Sequence, residues 1–99
     1  MDFPIEKETY ALLVRDFELP GFKEGFDETK AISILDKAIK ILLDRDFERL
    51  LQICYRVDLN EEILKKILHE TPPDEISGDL ARALWERQKM KIELRKRYS

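Results

Sequence analysis

A single cysteine, Cys54, leaves no disulfide to be made within this chain, and three glycines in 99 residues are too few and too scattered for a phosphate-cradling loop or a dinucleotide-binding turn. The lone histidine, His69, excludes more. One Cys and one His cannot supply the four ligands of a structural zinc site. The di-metal motif of helical bundles needs Glu three residues before His, where this sequence has Lys66. His69 reads instead as a solvated helix-end residue, suited to the negative end of the helix dipole. No apolar run approaches the length of about 20 residues that spans a bilayer, and no basic-plus-apolar leader opens the chain. A reducing, cytoplasmic setting is expected, with neither a membrane span nor an export signal. Cys54 sits in an apolar run with no base to activate it, so it reads as a buried structural thiol rather than a nucleophile.

What the sequence does have is charge and helix-forming apolar residues. Hydrophobic residues make up 43% and charged residues 39%, a balance that helices tolerate on their outer faces and that sheets do not. At this length one domain with one modest core is expected. The net charge of −3 conceals an asymmetry: Met1 to Ala81 carries 11 Lys/Arg against 19 Asp/Glu, whereas Arg82 to Ser99 carries 7 against 2. The basic end can be drawn to the chain's own acids as readily as to an external anion.

Along the chain, TYALLV suits a strand, but Tyr10, Leu13, Val14 and Phe17 share one helical face, which favours a short helix. LPGFKEGFDE, with Pro20, Gly21 and Gly25, reads as a loop pinned to the core by Phe22 and Phe26. From Thr29 a helix is clear, with Ala31, Leu35, Ile39 and Leu42 on one stripe. No internal repeat marks a solenoid. The sequence predicts an all-α fold in one domain, residues 1–99: a small bundle of four or five helices, with an irregular or short-helical segment over 1–28 and a helical core over 29–97.

The segment LLDRDFERLLQICYRVDLNEE gathers Asp44, Asp46 and Asp58 around Arg45, Arg49 and Arg56. A catalytic reading needs two carboxylates with pKa values pushed apart and a group to orient them, and nothing here sets that geometry. A cap reading needs less. An unbroken helix would put Asp46 in the middle of the apolar stripe, where a buried, unpaired carboxylate costs several kcal/mol. A break near Asp44 removes the conflict, with Asp44 as N-cap, Asp46 in the first turn, and Phe47, Leu50, Leu51 and Cys54 on the new apolar face. Asp58 or Asn60 repeats the device before Ile63, Leu64, Ile67 and Leu68. The arginines then read as ion-pair residues, with Tyr55 and Arg56 the most plausible exceptions. Pro72 and Pro73 make a stop or a Pro-rich first turn, and Ser77 can cap the last helix, which runs to about Arg97.

The last helix carries two apolar stripes. Ala81, Leu84, Trp85, Gln88 and Ile92 form one, and Leu80, Ala83, Met90, Leu94 and Tyr98 form the other, about a third of a turn away. Arg82, Glu86, Lys89, Glu93, Lys96 and Arg97 make a mixed, solvated face. Arg87, Lys91 and Arg95 run between the two stripes with no acid on the same line.

Four readings follow. In the favoured one, Leu80, Met90, Leu94 and Tyr98 meet a second copy or another protein, and Arg87, Lys91 and Arg95 pair with acids across that interface. The alternative is a nucleic-acid-binding accessory role for the basic tail, disfavoured because Glu86 and Glu93 dilute it and no aromatic stacking platform accompanies it. A purely structural role or a metabolite pocket comes next, and an enzyme is least favoured, with no catalytic residue, metal or cofactor expected.

RDFERLLQICYRVDLNEE followed by LARALWERQKMKIELRKR resembles a family of short, uncharacterised bacterial proteins. Its members have an Arg-Asp-Phe start, a YR-hydrophobe-D segment before an acidic helix start, and a final helix with an ERQ core and basic end. The resemblance covers about Leu42 to Arg97. It implies an all-helical cytoplasmic fold and brings no activity, ligand or catalytic residue with it.

Overall fold

The computed structural model describes residues 4–21 and 25–98. The described residues form five α-helices and one 3-10 turn and no strand: α1 (Ile5–Phe17), α2 (Glu28–Arg45), α3 (Phe47–Val57), α4 (Glu61–Glu70), the 3-10 turn Pro73–Glu75, and α5 (Ile76–Tyr98). This is the small all-α bundle that the periodicities predict. The helix reading of TYALLV is the one adopted. Tyr10, Leu13 and Phe17 of α1 join the same core as the other helices, so the core extends N-terminal to residue 29.

The ends of α1 show how local chemistry sets element boundaries. Pro4 leads the helix and its carbonyl accepts from the N–H groups of Lys7 and Glu8. Thr9 is fully buried, and its hydroxyl donates to the Ile5 carbonyl at 2.7 Å, which satisfies it. Glu18 closes the helix in the left-handed region, at φ 54°, and the Leu19 N–H then bonds the Val14 carbonyl. The loop that follows is held to α1 by Tyr10, whose hydroxyl donates to the Pro20 carbonyl and whose ring meets Phe26 edge-on at 6.1 Å. Phe26 thus anchors the loop as expected; Phe22 lies outside the described residues.

Asp27 caps α2 by accepting from the Thr29 N–H at 2.8 Å, and Ala31, Leu35 and Ile39 are wholly buried one turn apart. Each such leucine or isoleucine contributes about 1.5–3 kcal/mol relative to exposure. The break that ends α2 falls two residues later than expected. Asp44 stays in the last turn of α2, and Asp46 serves both helices: its N–H bonds the Leu42 carbonyl at 2.9 Å and its carboxylate accepts from the Arg49 N–H at 3.2 Å. That placement takes the Asp46 side chain out of the apolar stripe. Leu50 and Cys54 are buried on α3 as predicted, joined by Ile53 and Val57, whereas Phe47 is 42% exposed.

Asp58 and Asn60 divide the roles that the sequence left open. Asp58 is a C-cap, at φ 64°, and the Leu59 N–H reaches back to the Cys54 carbonyl at 3.0 Å while Leu59 itself is buried. Asn60 is the N-cap of α4, accepting from the N–H groups of Glu62 at 2.8 Å and Ile63 at 3.2 Å. Ser77 is not a cap, because the 3-10 turn runs directly into α5 and leaves Ser77 buried inside the helix.

Helix α5 packs against every other helix of the bundle. Its first stripe, Ala81, Leu84, Trp85, Gln88 and Ile92, is buried throughout. The indole N–H of Trp85 donates to a Glu28 carboxylate oxygen at 2.8 Å, and Lys89 reaches the same oxygen at 3.3 Å. That hydrogen bond to Glu28 raises the Lys89 pKa above its ordinary value, against the opposing effect of burial. Lys89 also approaches Glu6 at 3.7 Å, and Lys96 pairs with Glu8 at 3.3 Å. The face read as solvated is therefore partly turned onto α1, and part of the basic end meets the chain's own acids.

Candidate interaction surface

The second stripe of α5 divides along its length. Leu80 is fully buried and Ala83 half-buried, so Leu80 belongs to the core and not to an outward surface. Farther along, Met90 is 47% exposed, Leu94 39% and Tyr98 81%. Beyond Ile92 nothing on α5 is buried, and Glu93 to Tyr98 forms an exposed end of the helix.

The basic line between the stripes is largely used within the chain. Arg87 donates from Nε to the Asp58 carbonyl at 3.0 Å and from Nη2 to the Asp58 carboxylate at 3.0 Å. Lys91 donates to the Val57 carbonyl at 3.1 Å. Both therefore satisfy the C-terminus of α3, where carbonyls lack helical partners and the dipole is negative. Arg87 and Lys91, expected to pair with acids across an interface, thus have partners within their own chain. Arg95 is exposed and makes no ion pair or hydrogen bond among the described residues.

Beside Met90 lies a groove of about 490 Å³ between the α3–α4 connection and α5, lined by Asp58, Leu59, Asn60, Ile63, Ala83, Glu86, Arg87 and Met90. Ile63, on the first turn of α4, is 47% exposed at its rim. Sequence reasoning assigned Ile63 to an apolar helix face and did not connect it with Met90. The signal is absent locally, because the two residues are joined only by the packing of α4 on α5.

A second groove, also about 490 Å³, contains several of the charged residues whose role the sequence left in question: Arg15, Asp16, Asp46, Glu48, Arg49 and Arg56 line it with Gln52 and Ile53. Two of its three acids are engaged. Asp46 caps α3, and Asp16 pairs with Arg56 at 3.2 Å. Arg49 approaches Glu18 at 3.8 Å, and Asp58, outside this groove, holds Arg87. The Arg49–Glu18, Arg56–Asp16 and Arg87–Asp58 pairs tie α3 to α1 and to α5. Tyr55, at 57% exposed, and Phe47 add apolar area to the outer face of α3.

Cys54 is completely buried, and burial pushes its thiol up to about 11. His69 is exposed in the last turn of α4. Among the described residues no group of three or more His, Cys, Asp or Glu side chains is placed to hold a metal ion, and no helix is long and apolar enough to cross a membrane. No family model, curated protein or solved structure matches the chain.

Proposed function

We propose that this chain is a non-enzymatic protein–protein interaction module of the cytoplasm that self-associates through the outer face of its last helix. The observation that carries the reading is the run of exposed apolar side chains, Met90, Leu94 and Tyr98, continued by Ile63 across the groove. Apolar area left in water forgoes about 25 cal/mol per Å², and clustered residues of this kind mark contact surfaces. Nucleic acid is less favoured as the partner. Of the seven basic residues after Ala81, Arg87, Lys89, Lys91 and Lys96 are engaged by acids or carbonyls of the same chain. Sedimentation over a range of concentrations tests the reading. Wild-type protein is expected to gain mass as concentration rises, and Met90→Ser with Leu94→Ser to remain helical but monomeric. A wild-type chain that stays monomeric throughout, with its mass unchanged by those substitutions, refutes self-association.

A further inference from the structure

Resting on that self-association reading, the arrangement of α5 specifies how two copies meet. At 100° per residue, Glu86, Met90, Leu94 and Arg97 lie within a sector of about 80°, on the side of α5 opposite the buried Ala81, Gln88 and Ile92. Glu86 lines the groove and Arg97 stands on the exposed end. Neither makes a hydrogen bond or close ion pair among the described residues; Glu86 acts on Lys89 only through space. They are separated by about 16 Å along the helix, with Met90 and Leu94 between them.

We propose that two copies pair antiparallel along α5, about a two-fold axis near Lys91 and Ile92, with Tyr98 of each copy seated in the groove of the other. Charge complementarity selects this arrangement. The antiparallel pair sets Glu86 of one copy beside Arg97 of the second and repeats the contact by symmetry, while Met90 of each faces Leu94 of the other. A parallel pair sets Glu86 beside Glu86 and Arg97 beside Arg97, which repels at both ends. The same two-fold keeps the groove side of one helix next to the Tyr98 side of the other. Tyr98 then falls level with Glu86 of the second copy, at the groove bounded by Ile63, Ala83 and Met90. It cannot fill its own groove, because it lies about 18 Å from Glu86 along one rigid helix. The exposed end of α5, from Glu93 to Tyr98, is thus a reciprocal arm whose most exposed large residue occupies the partner.

Disulfide trapping in the full chain tests the geometry. Glu86→Cys and Arg97→Cys are made separately; Cys54 is retained because it is completely buried, and the wild type is run as the background control. An equimolar mixture is expected to form an 86–97 disulfide under mild oxidation while each variant alone forms little, one Glu86–Arg97 contact being retained in the mixed dimer. Tyr98→Ala is expected to weaken dimerisation about tenfold by sedimentation, as truncation of an interface aromatic does. Homotypic 86–86 and 97–97 disulfides overturn the antiparallel arrangement. A dimer by sedimentation that gives no cross-link in the mixture, or that Tyr98→Ala does not weaken, overturns this mode and leaves self-association standing. A wild-type chain that is monomeric at every concentration overturns both.

Discussion

Raising the pH from 8 to 11 is expected to destabilise the fold through Cys54. The thiol is wholly buried between α3 and the rest of the core, and burial shifts it from an ordinary 9.0 to about 11. Below pH 9 the thiol is protonated in both states and adds no pH dependence. Between about 9 and 11 the unfolded chain has lost its thiol proton while the folded chain retains it. The unfolded state then binds fewer protons, so stability falls as pH rises, by about 1.4 kcal/mol per unit at most. Over that window the loss is about 2–3 kcal/mol, a substantial part of the stability of a domain this size. Lys89, whose pKa is also raised, loses its contribution in the same direction, but only as pH climbs past its unfolded value of 10.5. Tyr10, which burial raises above its ordinary 10.0, adds a decline of the same sign that begins as pH nears 10, so the difference between the wild type and Cys54→Ala, rather than the wild-type slope alone, isolates the thiol. Urea unfolding at pH 8, 9 and 10, followed by helical circular dichroism, should show the decline in the wild type and a flatter profile in Cys54→Ala, whatever its absolute stability. An equal decline in Cys54→Ala, or native-state labelling of Cys54 at the rate of an unfolded thiol, would refute the argument.

The boundary between α2 and α3 makes Asp46→Ala cost about 0.5–2 kcal/mol, the usual loss of an N-cap, while Asp44→Ala should be nearly neutral; urea midpoints of the two variants check the order. Trp85→Ala should cost about 3–5 kcal/mol and threaten folding, because a wholly buried indole leaves a cavity and withdraws its hydrogen bond from Glu28. Trp85→Phe keeps most of the volume and loses that bond, so calorimetry should place it between the wild type and Trp85→Ala.

The helical periods of α2 and α3 were legible because each pattern is local: Ala31, Leu35 and Ile39 recur at four residues, and Leu50 and Cys54 do the same. The caps were legible in kind and not in position. Aspartate and asparagine favour both the N-cap and the left-handed C-cap, so Asp58 and Asn60 look alike until the backbone shows Asp58 at φ 64° and Asn60 with its side chain on two N–H groups. The partners of Arg87 and Lys91 had no sequence signal. Asp58 and Val57 lie about thirty residues away, and the acceptor of Lys91 and one of those of Arg87 are backbone carbonyls, which every residue type carries.

Angle around a helix can be read from spacing, whereas extent along it depends on the neighbour's length. Leu80 and Tyr98 share one angle on α5, yet the first is wholly buried and the second 81% exposed. The covering element on that side is α4, whose ten residues span about 15 Å against about 34 Å for the 23 residues of α5. Thr71 at its C-terminal end donates to Asp79 near the start of α5, and its Ile63 shares the groove with Met90. The connection between α3 and α4, with Asp58 and Val57 holding Arg87 and Lys91, fixes where that cover stops. Past this point Met90, Leu94 and Tyr98 of the second stripe are exposed among the described residues, and the antiparallel α5 of a second copy proposed above would give them a neighbour of matching length and charge.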